Sequence, residues 1–132
     1  MLVRSIAVLT AVLALIVALS IRFFADGAIE QFSGTALYAS MVYAAVVFLW
    51  PRLSPWMSGA IAVGFCWVVE FSQLTGVPAY LSERSLLARL ALGVQFDLVD
   101  VFWYPAGVAP LVVVHALLIS MNSRRREASR GY

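Results

Sequence analysis

The stretch GFCWVVEFSQLTG, residues 64–76, carries a carboxylate inside a long apolar run that starts near Trp56. Gln73 follows Glu70 by three residues, so both side chains lie on one face of a helix. An ionisable group at membrane depth costs several kcal/mol unless it is paired or lines a wet cavity. We therefore expect the rest of the chain to supply partners for Glu70.

The composition predicts an integral membrane protein. Of the 132 residues, 63% are hydrophobic and 12% are charged, whereas soluble domains have about 25% charged residues. A net charge of +2 is too small to indicate nucleic-acid binding. The single cysteine, Cys66, excludes an intrachain disulfide and a metal site built from cysteines. Within its apolar run, Cys66 is expected to serve packing.

Four apolar runs predict an all-α, polytopic membrane protein in which residues 1–132 form one domain built on a four-helix transmembrane bundle. The spans are expected at about residues 4–21, 36–50, 56–75 and 100–121, followed by a basic tail at 122–132. A cleaved signal peptide is the alternative for the first run.

The connections and the last span have features of their own. The polar segment Arg22 to Gly34 is expected to be a loop. In the third loop, Leu81 to Leu92 fits a short amphipathic helix on the membrane surface. Pro105 and Pro110 predict a kink or a late start in the fourth span.

Small residues at helical spacing predict close helix packing. They form one stripe in the first span and one in the second, and Gly107 is expected to face the helix that carries Glu70. The stripes are Ala7, Ala11, Ala14 and Ala18, then Ala36, Ser40 and Ala44.

The arginines predict the orientation. With four spans, both termini share a side, and that side carries six of the nine basic residues. They are Arg4, Arg52, Arg124, Arg125, Arg126 and Arg130. Since positive residues stay inside, we expect a multi-pass plasma-membrane protein with both termini in the cytoplasm. The arginine tail is also typical of a segment that binds anionic lipid.

Polar side chains are then expected to converge near the outer surface. The cluster consists of Glu70, Gln73, Arg84, Asp97, Asp100 and Tyr104. One interpretation is structural, with Glu70 paired to Arg84 so that the outer loop is tied to the bundle. The other is functional, with the cluster forming a site for a polar head group or a proton.

The chain resembles a bacterial membrane family, the domain of unknown function 2809. The resemblance rests on GTALYA at 34–39, EFSQL at 70–74, ER at 83–84, LG at 92–93 and FDLVDVFWYPAG at 96–107. That family is similar to the VanZ-like proteins, whose pattern is E-x-x-Q, an arginine in a loop, and D-x-x-x-N-x-x-G. Glu70, Gln73, Arg84, Asp100 and Gly107 match this pattern, and Tyr104 stands at its Asn. The resemblance implies the site above and a link to tolerance of glycopeptides such as teicoplanin.

Three function classes remain open. In the first, the protein is expected to bind or modify a lipid-linked or cell-envelope head group at the outer leaflet, with Arg84 or Arg89 holding phosphate. Alternatively, it is an enzyme with Glu70 or Asp100 as general base, or a structural or accessory subunit of a larger membrane complex. Membrane lipid and a homo-oligomer or larger complex are the expected partners. We expect no cofactor or metal, and His115 is interpreted as a donor to a neighbouring helix or as a proton relay from Asp100.

Overall fold

A computed structural model describes residues 2–24, 27–93 and 96–131, without the side chains of residues 22, 23 and 28–31. The helices in these ranges are α1 (Leu2–Phe24), α2 (Ala28–Leu49), α3 (Pro55–Ser72), α4 (Val77–Ser82), α5 (Leu86–Leu92) and α6 (Leu98–Arg130). A 3₁₀ turn, Gln73–Thr75, extends α3. Four of them, α1, α2, α3 and α6, are long and apolar enough to cross a membrane. The prediction of an all-α protein with four spans is therefore confirmed.

Helix α2 lies at the centre of the bundle and packs against α1, α3 and α6, while α3 also packs against α6. The start of α1 meets the end of α2, where Arg4 Nε donates to the Phe48 carbonyl at 3.0 Å. The end of α3 meets the start of α6, where Trp67 Nε1 donates to the Val101 carbonyl at 2.9 Å. Both chain ends therefore lie at one end of the bundle, and the polar α3–α6 junction lies at the other.

Small residues let the helices approach closely, as the stripes predicted. Ala7 and Ala14 are buried on α1, which packs against α2. A Cβ on Gly107 would overlap the Ala36 carbonyl and lie 2.8 Å from the Ala36 Cα. Gly107 is thus a close-packing position, but the expected partner is wrong. It faces α2, and the glycine at the α3–α6 contact is Gly59, where a Cβ would lie 2.7 Å from Val112.

Two predicted connections differ from their expected structure. The expected loop from Arg22 to Gly34 is wrong over most of its length, because α1 continues to Phe24 and α2 begins at Ala28. Polarity there marks where the chain leaves the apolar layer, and a helix can continue beyond that point. The single helix expected over Leu81–Leu92 is also wrong. It is divided into α4 and α5 at Ser85, whose side chain accepts from the Ala88 N–H and so begins a new helix.

Helix α6 starts at Leu98 and continues through Pro105 and Pro110. Of the two alternatives, a kink or a late start, the late start is therefore excluded, and the kink stays a prediction. Because Pro105 has no N–H, the carbonyl of Val101 loses its helical partner. The indole N–H of Trp67 bonds that carbonyl instead. At 33 residues, α6 is about 50 Å long. A bilayer core is about 30 Å thick, so the arginine-rich segment extends beyond it as helix.

Candidate functional site

A polar cavity of about 330 Å³ lies between α2, α3, α5 and α6, at the end of the bundle away from both termini. Its polar side chains come from three of these helices and the turn after α3. They are Thr35, Tyr38, Glu70, Gln73, Asp100 and Tyr104. Four of the six residues predicted for the cluster therefore line one cavity. Arg84 and Asp97 do not line it.

Glu70 is 1% exposed and both of its carboxylate oxygens are bonded. One accepts from the backbone N–H of Asp97 at 2.8 Å and the other from the hydroxyl of Tyr104 at 2.5 Å. Asp97 is the N-cap of α6, so Glu70 also lies at the positive end of the α6 dipole. A helix terminus and a phenol, rather than a basic side chain, stabilise this carboxylate.

The expected pairing of Glu70 with Arg84 is wrong. Arg84 is exposed, and its guanidinium lies over the Tyr80 ring at 4.4 Å from the centroid. Arg84 follows the last turn of α4, and the chain turns into α5 there, which directs the arginine away from the bundle axis. The third loop is attached to the bundle by other groups.

The aspartates before and within the first turn of α6 have different roles. The Asp97 carboxylate accepts from the Val99 N–H at 2.9 Å and so caps the helix. The Asp100 carboxylate accepts from the Thr35 hydroxyl at 2.9 Å, which joins α6 to α2 across the cavity wall. Because an N-cap residue has non-helical backbone angles, the two aspartates do not form the single helical face that their spacing predicted.

The C-terminal carbonyls of α5 form the roof of the cavity. The carbonyls of Ala91, Leu92 and Gly93 accept from Tyr38 Oη at 2.7 Å, Gln73 Nε2 at 2.6 Å and Ser82 Oγ at 2.8 Å, respectively. The last carbonyls of a helix lack partners within it, so these three side chains satisfy the end of α5. Gly93 is required here, because its φ is +71° and a Cβ would lie 2.5 Å from Gln73 Nε2.

Gln73 is only half satisfied by these contacts. Its Nε2 bonds the Leu92 carbonyl, but its Oε1 is buried and has no hydrogen-bond partner among residues 2–24, 27–93 and 96–131. A buried acceptor without a partner costs about 1–3 kcal/mol. This oxygen belongs to a residue that lines the cavity, so it is a candidate acceptor at this site.

The family model described as "Protein of unknown function (DUF2809)" matches residues 24–108. The chain belongs to this family. All six polar side chains of the cavity lie inside the matched DUF2809 segment, whereas most of α1 and the second half of α6 lie outside it. No solved structure matches the chain.

Two of the cavity side chains were missed in the sequence, Thr35 and Tyr38. Both belong to the stretch GTALYA at 34–39, which is one of the stretches that resemble the DUF2809 family and could have pointed to them. The stretch gave no indication of a partner, because Thr35 and Asp100 are 65 positions apart along the chain.

The remaining candidate residues lie elsewhere in the bundle. Tyr43 on α2 and His115 on α6 share a hydrogen bond of 2.6 Å between Oη and Nδ1, as expected for a histidine bonded to a neighbouring helix. Cys66 is fully buried in the core, which confirms its packing role. Over residues 2–24, 27–93 and 96–131, no group of three His, Cys, Asp or Glu residues could hold a metal ion.

Proposed function

We propose that the cavity binds the polar head group of a lipid or lipid-linked molecule. The buried Oε1 of Gln73 carries this proposal, because it is an acceptor that no described residue bonds and it belongs to a residue of the cavity wall. If the polar side chains served only to hold the helices together, we would expect one of them to donate a hydrogen bond to this oxygen, since buried polar groups in proteins are generally hydrogen-bonded.

The lining selects the chemistry of the head group. It includes the carboxylates of Glu70 and Asp100, and no arginine or lysine is among the described residues that line it. A phosphate would meet like charge there, and Arg84 and Arg89, which were expected to hold phosphate, do not line the cavity. Hydroxyl or ammonium groups are complementary to this lining, because they donate to carboxylate and amide oxygens.

The position of the cavity suits a molecule that arrives through the membrane. Glu70 is near the end of α3 and Asp100 is in the first turn of α6, so both lie close to one membrane surface. The arginine-rich opposite end favours the cytoplasm. We therefore infer that the cavity serves the outer leaflet of the plasma membrane, where a role in glycopeptide tolerance would be exerted.

Mass spectrometry of lipid that co-purifies with the protein tests this proposal. In Gln73→Leu, which removes the free acceptor, we expect about a fivefold or larger loss of the bound species, since leaving a polar partner unpaired costs about 1–3 kcal/mol. Ser82→Ala is the matched control, because Ser82 also bonds the end of α5 but does not line the cavity. It should retain the lipid.

Teicoplanin tolerance of cells that express the same variants provides a second readout. We expect the wild type and Ser82→Ala to raise tolerance and Gln73→Leu to lose the effect. If the wild type carries no enriched lipid and changes no tolerance, the proposal fails. A structural or accessory role in a larger membrane complex then explains the protein better.

A further inference from the structure

A second cavity lies at the other end of the bundle. It is a groove of about 430 Å³ between α1 and α6, both of which pack against α2. Its walls are largely aliphatic, and they include Ile6 on α1, Val47 on α2 and Leu118 on α6. This volume lies in the range of about 300–1,000 Å³ that is common for small-molecule sites.

The polar side chains inside the groove are bonded within the protein. Thr10 Oγ1 donates to the Ile6 carbonyl at 2.9 Å, and Tyr43 Oη is bonded to His115 Nδ1 at 2.6 Å. The interior therefore offers apolar surface, which suits a hydrocarbon chain.

The mouth of the groove is positively charged. Asn122 and Arg125 line it one and four residues beyond the expected end of the last span at residue 121, within about one helical turn. Arg124, Arg126 and Arg130 are exposed on the same stretch of α6. Since α6 is helical through this segment, the helix fixes the backbone of Arg125 beside the groove, and arginine side chains near the end of a span extend towards the lipid head groups.

We propose that the groove binds one anionic glycerophospholipid, with an acyl chain between α1 and α6 and its phosphate at Arg125. Charge complementarity selects this occupant, because an arginine at the mouth of an apolar groove matches a phosphate attached to a hydrocarbon chain. The groove shares no lining residue with the polar cavity, so this proposal does not depend on the head-group proposal.

The test measures binding of phosphatidylglycerol and phosphatidylcholine, with identical acyl chains, to the full chain in detergent by native mass spectrometry. We expect phosphatidylglycerol to bind more tightly than phosphatidylcholine. Arg125→Gln should weaken phosphatidylglycerol binding about fivefold or more, the effect of one arginine near anionic lipid. Arg124→Gln is the matched control, since Arg124 is its neighbour but does not line the groove, and it should change binding by less than about twofold.

A second pair of variants tests the acyl chain. Val114 lines the groove, and its neighbour Val113 does not, although the two side chains are 52% and 53% exposed. Val114→Trp should fill the groove and weaken phosphatidylglycerol binding, while Val113→Trp should not. Leu118→Trp and Leu117→Trp form an equivalent pair in case the first variant does not fold.

Three results would overturn the proposal. If Arg124→Gln and Arg125→Gln weakened phosphatidylglycerol binding equally, the lipid would be attracted by the basic surface in general and not by a site at Arg125. Equal effects of both tryptophan variants would remove the acyl chain from the groove. Competition by inorganic phosphate as effective as that of phosphatidylglycerol would identify a free anion as the ligand.

Discussion

At the residue scale, the buried carboxylate of Glu70 is satisfied without a basic side chain. The Tyr104 hydroxyl and the Asp97 N–H occupy its two oxygens. A hydrogen bond to a charged group contributes about 1.5–3 kcal/mol. Because Tyr104 also lines the cavity, its hydrogen bond to Glu70 occupies acceptor capacity of the carboxylate that a ligand would otherwise use.

A double-mutant cycle between Glu70→Gln and Tyr104→Phe tests this contact. We expect a coupling of about 1.5 kcal/mol or more in the free energy of unfolding in detergent. The cycle between Glu70→Gln and Arg84→Ala serves as the control and should give coupling near zero, because Arg84 lies over Tyr80. If the coupling with Arg84→Ala were larger than the coupling with Tyr104→Phe, the main partner of Glu70 would be Arg84 and not Tyr104.

At the scale of the element, α6 continues through Pro105 and Pro110, and another helix bonds the backbone carbonyl that Pro105 leaves without its helical partner. In a bilayer no water is present to bond a freed carbonyl, so neighbouring helices supply the donors. Trp67 on α3 bonds the Val101 carbonyl. This bond also joins α3 to α6, about one helical turn along α3 from Glu70.

Trp67→Phe, which keeps an aromatic ring but removes the indole N–H, should lower the free energy of unfolding by about 1–3 kcal/mol, because the Val101 carbonyl is left without a partner. In a Pro105→Ala background, the backbone N–H that the substitution introduces restores the helical bond to that carbonyl, and Trp67→Phe should cost less. Thermal unfolding of the two single variants and the double variant gives the comparison. If Trp67→Phe lowered the free energy of unfolding equally with Pro105 and with Pro105→Ala, Trp67 would not be replacing the hydrogen bond that Pro105 removes.

At the scale of the whole molecule, the antiparallel order of the spans separates two surfaces. One end carries the polar cavity, and the other carries both termini, Arg4 and the arginines of α6. The positive residues predict that the second end faces the cytoplasm.

Labelling of introduced cysteines with a membrane-impermeant reagent in intact cells tests the orientation. Glu83→Cys, exposed after α4, should be labelled, whereas Ser129→Cys, exposed near the end of α6, should be labelled only after permeabilisation. The native Cys66 is buried and should not react. Labelling of Ser129→Cys alone in intact cells would invert the orientation and move the cavity to the cytoplasmic leaflet.

Much of the architecture follows from the sequence alone, because the bilayer permits few solutions. A backbone in lipid must satisfy its own hydrogen bonds, so apolar runs of about 20 residues become helices. The runs around Glu70 and Gly107 therefore predicted their spans, and Ala7 and Ala14 predicted a packed face. Membership of one polar site also followed for Glu70, Gln73, Asp100 and Tyr104, since consecutive antiparallel spans place the end of one helix and the start of the next at the same membrane surface.

The tertiary structure alone decided which groups touch. The partners of Glu70 come from the backbone of Asp97 and from Tyr104, the partner of Asp100 is Thr35, and Gly107 approaches Ala36. Spacing along one helix gives the face of a side chain, but the rotation and separation of a second helix determine what that face meets. The pairing of Glu70 with Arg84 was wrong for this reason. Opposite charge favoured it, but the turn between α4 and α5 directs the arginine outward, and the start of α6 satisfies the carboxylate.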